Sequence, residues 1–472
     1  VITIARWQSL PQNLNKRNAY NFSDGLDQSI SPLFIKDTSF VNGYGFDFGE
    51  FPALKVRDGR TAYGATGSAT TRLLAALGTT KLIRIVGTTA QYDNAGTWTN
   101  IATGLTAAEY DFTNFEVGGV QAAIMVAPGS APKYWDGTTF GTLGGSPPQA
   151  SFVTNDSVRV WMAKDDIVYF SAFQDSEDFT TAENSGFVQY YNDRGGNITA
   201  LRSYYGDKYV WKQDSMAVIQ GTNFFNFKLK EISSAVGCAS FKTVQEVDDT
   251  LFFMDKNDVY RFNGAFPVSI GDPVRGFLDT INSAAIGNSF SWTDTHTYYI
   301  CFPTGSNTEC DTCLAYSLEF KKWLPYSITL GSLRRGINYN GIPYAGDSSG
   351  VTFKLNTGST DNGTAIPWRV QSKPFDGGVK EAEKELWEAH LQGLFPTGTT
   401  LTAEFAADDI GSTWYTINYD PTTASTATQN KNLIIPLDTV PLAHFYQYRL
   451  SGTAAATIQE VQIYSRIQPV QY

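Results

Sequence analysis

The sequence predicts an all-β protein: a β-propeller of about seven blades, with six or eight also admissible, followed by a small C-terminal β-sandwich. Three observations carry this reading. A strand, a tight polar turn and an aromatic recur seven times, with turns marked at Gly96, Gly137, Ser176, Gly221, Gly264, Lys321 and Gly358 and spacings of 41, 39, 45, 43, 57 and 37 residues. A period near 40 to 45 built from short strands is what a propeller leaves in a sequence, because each repeat is one small sheet that cannot bury its faces alone. The composition agrees, with 31 Phe, 25 Tyr and 10 Trp against 4 Met, an excess that suits pleated sheets rather than helices. Finally, runs such as KLIRIVG at 81–87, SVRVWMA at 157–163, KYVWKQ at 208–213, TLFFMD at 250–255 and TYYICFP at 297–303 have strand length. Several are apolar on both faces, as strands packed between two neighbouring blades should be.

Residues 1–60 lack the repeat and read as an extended N-terminal arm with a strand or two, such as Pro32 to Ile35. Such an arm needs a neighbour, either the propeller itself or another subunit. The propeller is assigned to 61–375, its 57-residue interval being attributed to the loop around Cys310 and Cys313 inserted in a hairpin. The C-terminal module, 376–472, contains six strand-like runs: LWEAHLQGL, TTLTAEFAAD, TWYTINYD, NLIIPL, HFYQYRLSG and TIQEVQIYSRI. Its opening, Val379 to Leu391, has helical propensity. Its position ahead of an all-β segment favours a strand over Glu385 to Leu391, with room for a short helix at 379–384.

The net charge of −11 argues against a general nucleic-acid binder held by counterion release. The basic pairs Lys16-Arg17 and Arg334-Arg335 stand outside any basic run and read as solvated surface charges. No signal peptide is evident at the start of the chain, and the longest apolar run, Ala122 to Ala127, is far short of a membrane span. A soluble protein assembled in a cytoplasm is expected. Four cysteines are too few for a disulfide framework. Cys310 and Cys313 form a lone CxxC, with Cys301 one strand earlier and Cys238 remote; with His296 they make an irregular zinc set, a reactive or paired dithiol is the next alternative, and loop and strand thiols are the leading reading.

Catalytic patterns are nearly absent. Asp409-Ile410-Gly411-Ser412-Thr413-Trp414 matches the core of the Asp box of sialidase propellers, and Asp93 to Trp98 is a looser echo. This is a hairpin device: Asp accepts backbone hydrogen bonds, Gly takes the unusual dihedrals and Trp packs beneath. A sialidase would also need an arginine cluster and a supported Tyr nucleophile. Asp165, Asp166, Glu177 and Asp178 read as turn carboxylates and not as a glycosidase pair. His296, His390 and His444 have no metal or triad spacing. Aromatics in the loop Asn223 to Phe227, and Tyr190 with Tyr191, are candidates for stacking on a sugar or a partner. No catalytic, cofactor-binding or metal residue is assigned, and the chain is read as a non-enzyme.

The order of features, from PALKVRDG at 52–59 through DSVRVWMAKDDIVYFSAFQDSEDF and DTLFFMDKNDVYRFNGAFPVSIG to IPYAGDSSGVTFKLNTGSTDNGTAIPW, TAEFAADDIGSTWYTINYD and FYQYRLSGTAAATIQEVQIY, resembles the tail hub or nozzle proteins of short-tailed bacteriophages. These are also called tubular tail or packaged-DNA stabilisation proteins. The resemblance implies a virion structural protein, a homo-oligomeric ring of typically six copies below the portal and adaptor proteins. Such a ring retains and conducts DNA without reading its sequence and supports tail fibres or spikes. An acidic lumen would let DNA slide without adhering. The competing expectations are a carbohydrate- or receptor-binding propeller of a tail tip or baseplate, with clustered exposed Trp and Tyr on one face, and a sialidase-like enzyme. The enzyme would bring carboxylates and arginines together at the propeller's mouth.

Overall fold

The computed structural model describes residues 15–192, 195–408, 413–419 and 431–468. The repeats fold as small antiparallel sheets in chain order, six of them with four strands each, giving a propeller-like body. Their first strands are Thr71–Leu77, Asp111–Val117, Phe152–Asn155, Ala200–Tyr204, Gln245–Val247 and Phe290–Thr293. A seventh sheet begins at Leu333–Tyr339 and is completed by Arg60–Ala62, the strand that precedes the first repeat: Phe353 stands opposite Ala62 and Leu355 opposite Arg60. This seventh sheet abuts the first. Tyr63 N donates to Thr352 O at 2.7 Å, Gly67 N to Gly350 O at 2.8 Å, and the buried Arg84 reaches Thr352 Oγ1 at 3.1 Å. Joining the two ends of the repeat leaves no open edge between first and last sheets, the usual reason such bodies borrow a strand from the far end of the chain.

Six of the marked turns lie between the third and fourth strands of their sheets, and Gly358 follows the third strand of the seventh. In the first six sheets, though not in the seventh, where the third strand pairs with Arg60–Ala62 instead, the recurring event is therefore one structural position, the outermost hairpin. Gly137 and Gly264 hold φ of 99° and 98° there, a region costly for residues with a Cβ. Around Gly96 the Asp device operates as expected: Gly96 N donates to Asp93 Oδ1 at 2.8 Å, while Trp98 is buried and donates Nε1–H to Tyr63 O at 3.1 Å. In the C-terminal copy, Asp409 to Ser412 lie outside the described residues. The long fifth interval has a second source besides the cysteine loop. The connection from Val268–Ser269 to Phe290–Thr293 carries the short helical turns Asp272–Val274, Arg275–Leu278 and Ile286–Asn288.

The N-terminal segment is not an arm. Its strands are built into two six-stranded sheets with the C-terminal segment. One sheet orders Phe46–Asp47, Leu54–Val56, Thr457–Ile467, Lys384–Leu394 and Lys431–Pro436, with Asn15–Tyr20 also pairing Thr457–Ile467. The other orders Gly25–Leu26, Ser39–Tyr44, Pro367–Ser372, Tyr446–Thr453, Thr400–Ala407 and Tyr415–Tyr419. Tyr20, Phe40 and Phe46 share a single hydrophobic cluster with Trp368, Leu391, Phe405 and Ile463. The repeat body is thus inserted between strands of one two-ended body, whose C-terminal part already begins with Pro367–Ser372. Pro32 to Ile35 form a turn, tied down where Lys373 Nζ donates to Ile35 O at 2.7 Å. Residues 379–384 contain no helix, and Lys384–Leu394 alternates buried with partly exposed side chains across most of its length. Burial of one face at period two overrides the helical propensity of Ala, Glu and Leu.

The two bodies meet along the sixth repeat. Lys322 Nζ pairs with Asp24 at 2.8 Å, Gly45 N donates to Pro325 O at 3.0 Å, and Phe48 stacks on Phe320. At the same junction the Tyr299 hydroxyl lies 3.2 Å from both oxygens of Asp47 and 2.8 Å from Asp294. Burial, with the like charge of Asp294, pushes the Asp47 carboxyl up from 3.8 to about 6, against the opposing hydrogen bond from Phe48 N. Between those two values the folded chain holds a proton that the unfolded chain releases, so this group's contribution to stability falls as pH rises from 3.8 to about 6 and is flat above. An Asp47→Asn variant should gain on the parent across that window, by on the order of 2 kcal/mol after allowing for partial exposure. Urea titrations of both proteins at pH 4, 5, 6 and 7 check this, and a constant difference would reject it.

Candidate functional site

First strands of neighbouring sheets pack on one another from the first sheet to the fourth and from the fifth to the seventh, and the seventh touches the first, so that they gather around an axis. A charged or aromatic residue stands at or just before the start of most of them: Arg72, Glu109 with Asp111, Phe152, Phe241 with Lys242, and Arg334 with Arg335, while Arg202 lies in the middle of its strand. These side chains meet across the axis. Arg202 of the fourth sheet pairs with Asp111 of the second at 2.9 Å. Arg335 of the seventh donates to Tyr110 O at 2.8 Å and pairs with Glu109 at 2.7 Å, at the entrance to the second. The Arg335 guanidinium also lies 4.9 Å over the ring of Phe241, at the entrance to the fifth, and Phe241 contacts Phe152 of the third at 5.1 Å. Arg335 thereby links the second sheet to the fifth, which stand three apart in the ring, while Asp111, which also accepts from Val153 N at 3.1 Å, reaches the fourth sheet over the third. The axial opening is therefore bridged at this end.

Electrostatics explain why the bridge holds. Burial alone would raise the Glu109 pKa, but Arg335, Lys242, Arg334 and Arg72 together hold it below the ordinary value. Arg72 and Arg334 approach Glu109 at 4.0 and 3.9 Å, and Arg334 also pairs with Glu309 at 2.9 Å. Lys242, only 8% exposed, donates to Asn288 O at 3.2 Å, and among the described residues no carboxylate lies within ion-pairing distance of it. Burial first, then the neighbouring Arg335, pushes its pKa down to about 8. Arg335 is thus not a solvated surface charge; with 6% of its surface exposed it is a buried, paired group. Carboxylates and arginines do converge at the mouth, yet Glu109, Asp111 and Glu309 are each engaged by a guanidinium. Carboxylates whose oxygens are occupied by a guanidinium are poorly placed to exchange a proton with a substrate.

The residues singled out from sequence are scattered by comparison. Asp165, Asp166, Glu177 and Asp178 lie in or beside turns, where Asp166 accepts from Gln189 Nε2 at 2.8 Å and Glu177 from Gly144 N at 3.3 Å. Asp178 accepts from Thr180 N and Thr181 N and is lowered to about 2 by the Thr181 and Thr180 hydrogen bonds. His296 bonds Asp248 at 2.5 Å, His390 bonds Glu388 at 2.9 Å and His444 faces Asp408 at 3.4 Å, three separate places. Cys238, Cys301, Cys310 and Cys313 are buried free thiols, with Cys301 opposite Cys313 in adjacent strands. Burial pushes Cys238 and Cys310 up to about 12, far from a reactive thiolate. Among the described residues no group of three His, Cys, Asp or Glu is arranged to hold a metal. Tyr190 is buried, whereas Tyr191 and Phe225 are 77% and 75% exposed; Phe227 packs on Trp161 and Phe170. The large exposed apolar side chains of the described residues include several Phe but no Trp.

Arg72, Glu109, Asp111, Arg202 and Lys242 were not singled out from sequence. Their signal is the charge near the start of the first strand in successive repeats, visible in TRLLAAL, EYDFTNF, ALRSY, FKTVQ and LRRGI once the repeats are aligned on their outer turns. Which of these charges meet is not written there, because contact across the axis joins residues from different repeats.

The fold defines a propeller-like protein with a second body built from both chain ends. No protein-family model and no curated protein matches the chain. Among solved structures, it is similar to the extracellular domain of BT4673 from B. thetaiotaomicron, at 8% identity and a TM-score of 0.45, covering 63% of this chain and 39% of that one. It is also similar to BamB from Moraxella catarrhalis, at 10% identity and a TM-score of 0.41, covering 67% of this chain and 96% of that one. The computationally designed Ika8 protein covers 63% of this chain at 12% identity and a TM-score of 0.38. The chain spans well under half the length of the first of these.

Proposed function

We propose that the chain is a non-enzymatic structural protein of a bacteriophage tail, a hub or nozzle subunit. Copies of it form a ring, of about six, that retains packaged DNA and later conducts it. In this reading the small sheets are the blades of a seven-bladed propeller closed by Arg60–Ala62, and the two six-stranded sheets are a β-sandwich. The observation that carries the reading is the insertion of the propeller-like body into a body made from both chain ends, an arrangement that holds a docking platform rigidly beside a ring-building module. The bridged axis supports it too. DNA would have to run between copies and not through one. The net charge of −11 suits a lumen along which DNA slides. Portal and adaptor proteins, and fibres or spikes, are the partners, and the virion tail is the location, assembled in the host cytoplasm.

The second reading is a glycan- or receptor-binding propeller of a tail tip, favoured by the exposed Phe173, Phe187 and Phe225 of the third and fourth sheets. The native mass of the purified chain, alone and with candidate neck proteins, followed by imaging, separates the two. A closed ring of about six copies is expected. A persistent monomer in both conditions would overturn the ring and bring glycan binding forward.

A further inference from the structure

We propose that the bridged mouth of the propeller-like body is a binding site for a small dianionic oxyanion, held by Lys242 together with the guanidinium groups around Glu109. Four cations, Arg72, Arg334, Arg335 and Lys242, surround Glu109, and the only other carboxylate paired among them in the described residues is Glu309. The mouth therefore carries a surplus of two positive charges inside a protein of net charge −11. The surplus is not solvated at its centre. Lys242 is 8% and Arg335 6% exposed, and among the described residues Nε of Arg335 and of Arg72 is buried without an acceptor, while Oε2 of Glu109, close to Arg335, is buried without a well-aligned donor. Buried cations without counter-charge are strongly disfavoured, and donors left without acceptors add to that cost.

One ligand would relieve both. A dianion seated beside Lys242 Nζ would balance the surplus and accept charge-assisted hydrogen bonds from the ammonium and from guanidinium edges. Access comes from the rim, where the side chains of Glu109, Arg72 and Arg334 are 32%, 24% and 19% exposed. Guanidinium groups suit both carboxylate and tetrahedral oxyanions through paired N–H donors, so the shared chemistry is the dianionic oxyanion. Arg202 takes no part, since Asp111 already neutralises it.

The test is calorimetric titration of the full chain with sodium sulfate and, separately, with sodium malonate, at ionic strength held constant with chloride. Saturable binding of at least one is expected, and the preferred arm distinguishes a tetrahedral from a dicarboxylate ligand. Lys242→Met should weaken it roughly tenfold or more, the equivalent of one charge-assisted hydrogen bond. Lys256→Met, at an exposed lysine paired with Asp214, should leave it unchanged. Glu109→Gln should strengthen binding, because it removes the anion that competes with the ligand, and this variant decides the matter if Lys242→Met does not fold. No saturable binding of either anion, equal affinity in the parent and Lys242→Met, or unchanged or weaker binding in Glu109→Gln would overturn the proposal.

Discussion

Deletion of residues 1–50 will unfold the C-terminal body instead of releasing an arm. The segment supplies strands to both six-stranded sheets and buries Tyr20, Phe22, Leu26, Phe40 and Phe46, each at most 4% exposed, in the cluster shared with the C-terminal strands. At roughly 2 kcal/mol per large buried apolar side chain, their loss removes on the order of 10 kcal/mol, as much as a typical domain's whole stability. Tyr446 would also lose its hydroxyl partner Tyr20 at 3.2 Å and the ring packing of Phe375 on Tyr20. The expected result is an insoluble chain, or a soluble one in which trypsin degrades 367–472 while the repeats persist. Retention of protease resistance across 367–472 in the truncated chain would show that the N-terminal strands are dispensable. This outcome also bears on assembly, because loss of a ring in such a truncation would follow from unfolding and would not identify an intersubunit contact.

Arg57→Met is expected to destabilise the protein by about 3–5 kcal/mol, the cost of breaking a buried ion pair and leaving one charge behind. Arg57 is 2% exposed and forms a bidentate pair with Asp361, at 2.9 and 2.5 Å. Its Nη1 also donates to Asp58 O at 3.1 Å, and the guanidinium lies 4.9 Å over the Tyr326 ring. The pair sits where the chain leaves the two-ended body and enters Arg60–Ala62, the strand that completes the seventh sheet, and Asp361 is in register with Arg60. Breaking it therefore strikes both bodies at their crossover. Urea unfolding gives the measurement: the midpoint should fall for Arg57→Met, and the double variant Arg57→Met/Asp361→Asn should recover part of the loss because no buried carboxylate is left unpaired. Equal stability of the double and single variants would mean that packing, not charge, is what Arg57 contributes.

The repeat was legible because it is a local property. Each outer hairpin needs a polar turn and an aromatic cap within a few residues, so Gly96, Gly137, Ser176, Gly221, Gly264 and Lys321 mark one structural position without knowledge of their neighbours. The six C-terminal strands were legible for the same reason, including Lys384–Leu394, where context outweighed helical propensity. The Asp93 turn could be read residue by residue. The strands at 15–56 could not. Runs such as Gly25–Leu26 and Phe46–Asp47 are two residues long and pair with the nearby Ser39–Tyr44 and Leu54–Val56, which in turn lie against the distant strands Pro367–Ser372 and Thr457–Ile467, so no local period reveals them.

Local patterning thus determined an all-β chain of small repeated sheets, the place of its outer turns and the strands of its C-terminal segment. Long-range contact alone decided that Arg60–Ala62 completes the last sheet, that the two chain ends form one body, and that Arg335, read as a surface charge, is buried against Glu109. The physical reason is common to all three. Hairpin pairing and alternation are encoded within a few residues, whereas closure of a ring and convergence on its axis depend on which distant surfaces remain unpaired once every local unit has formed.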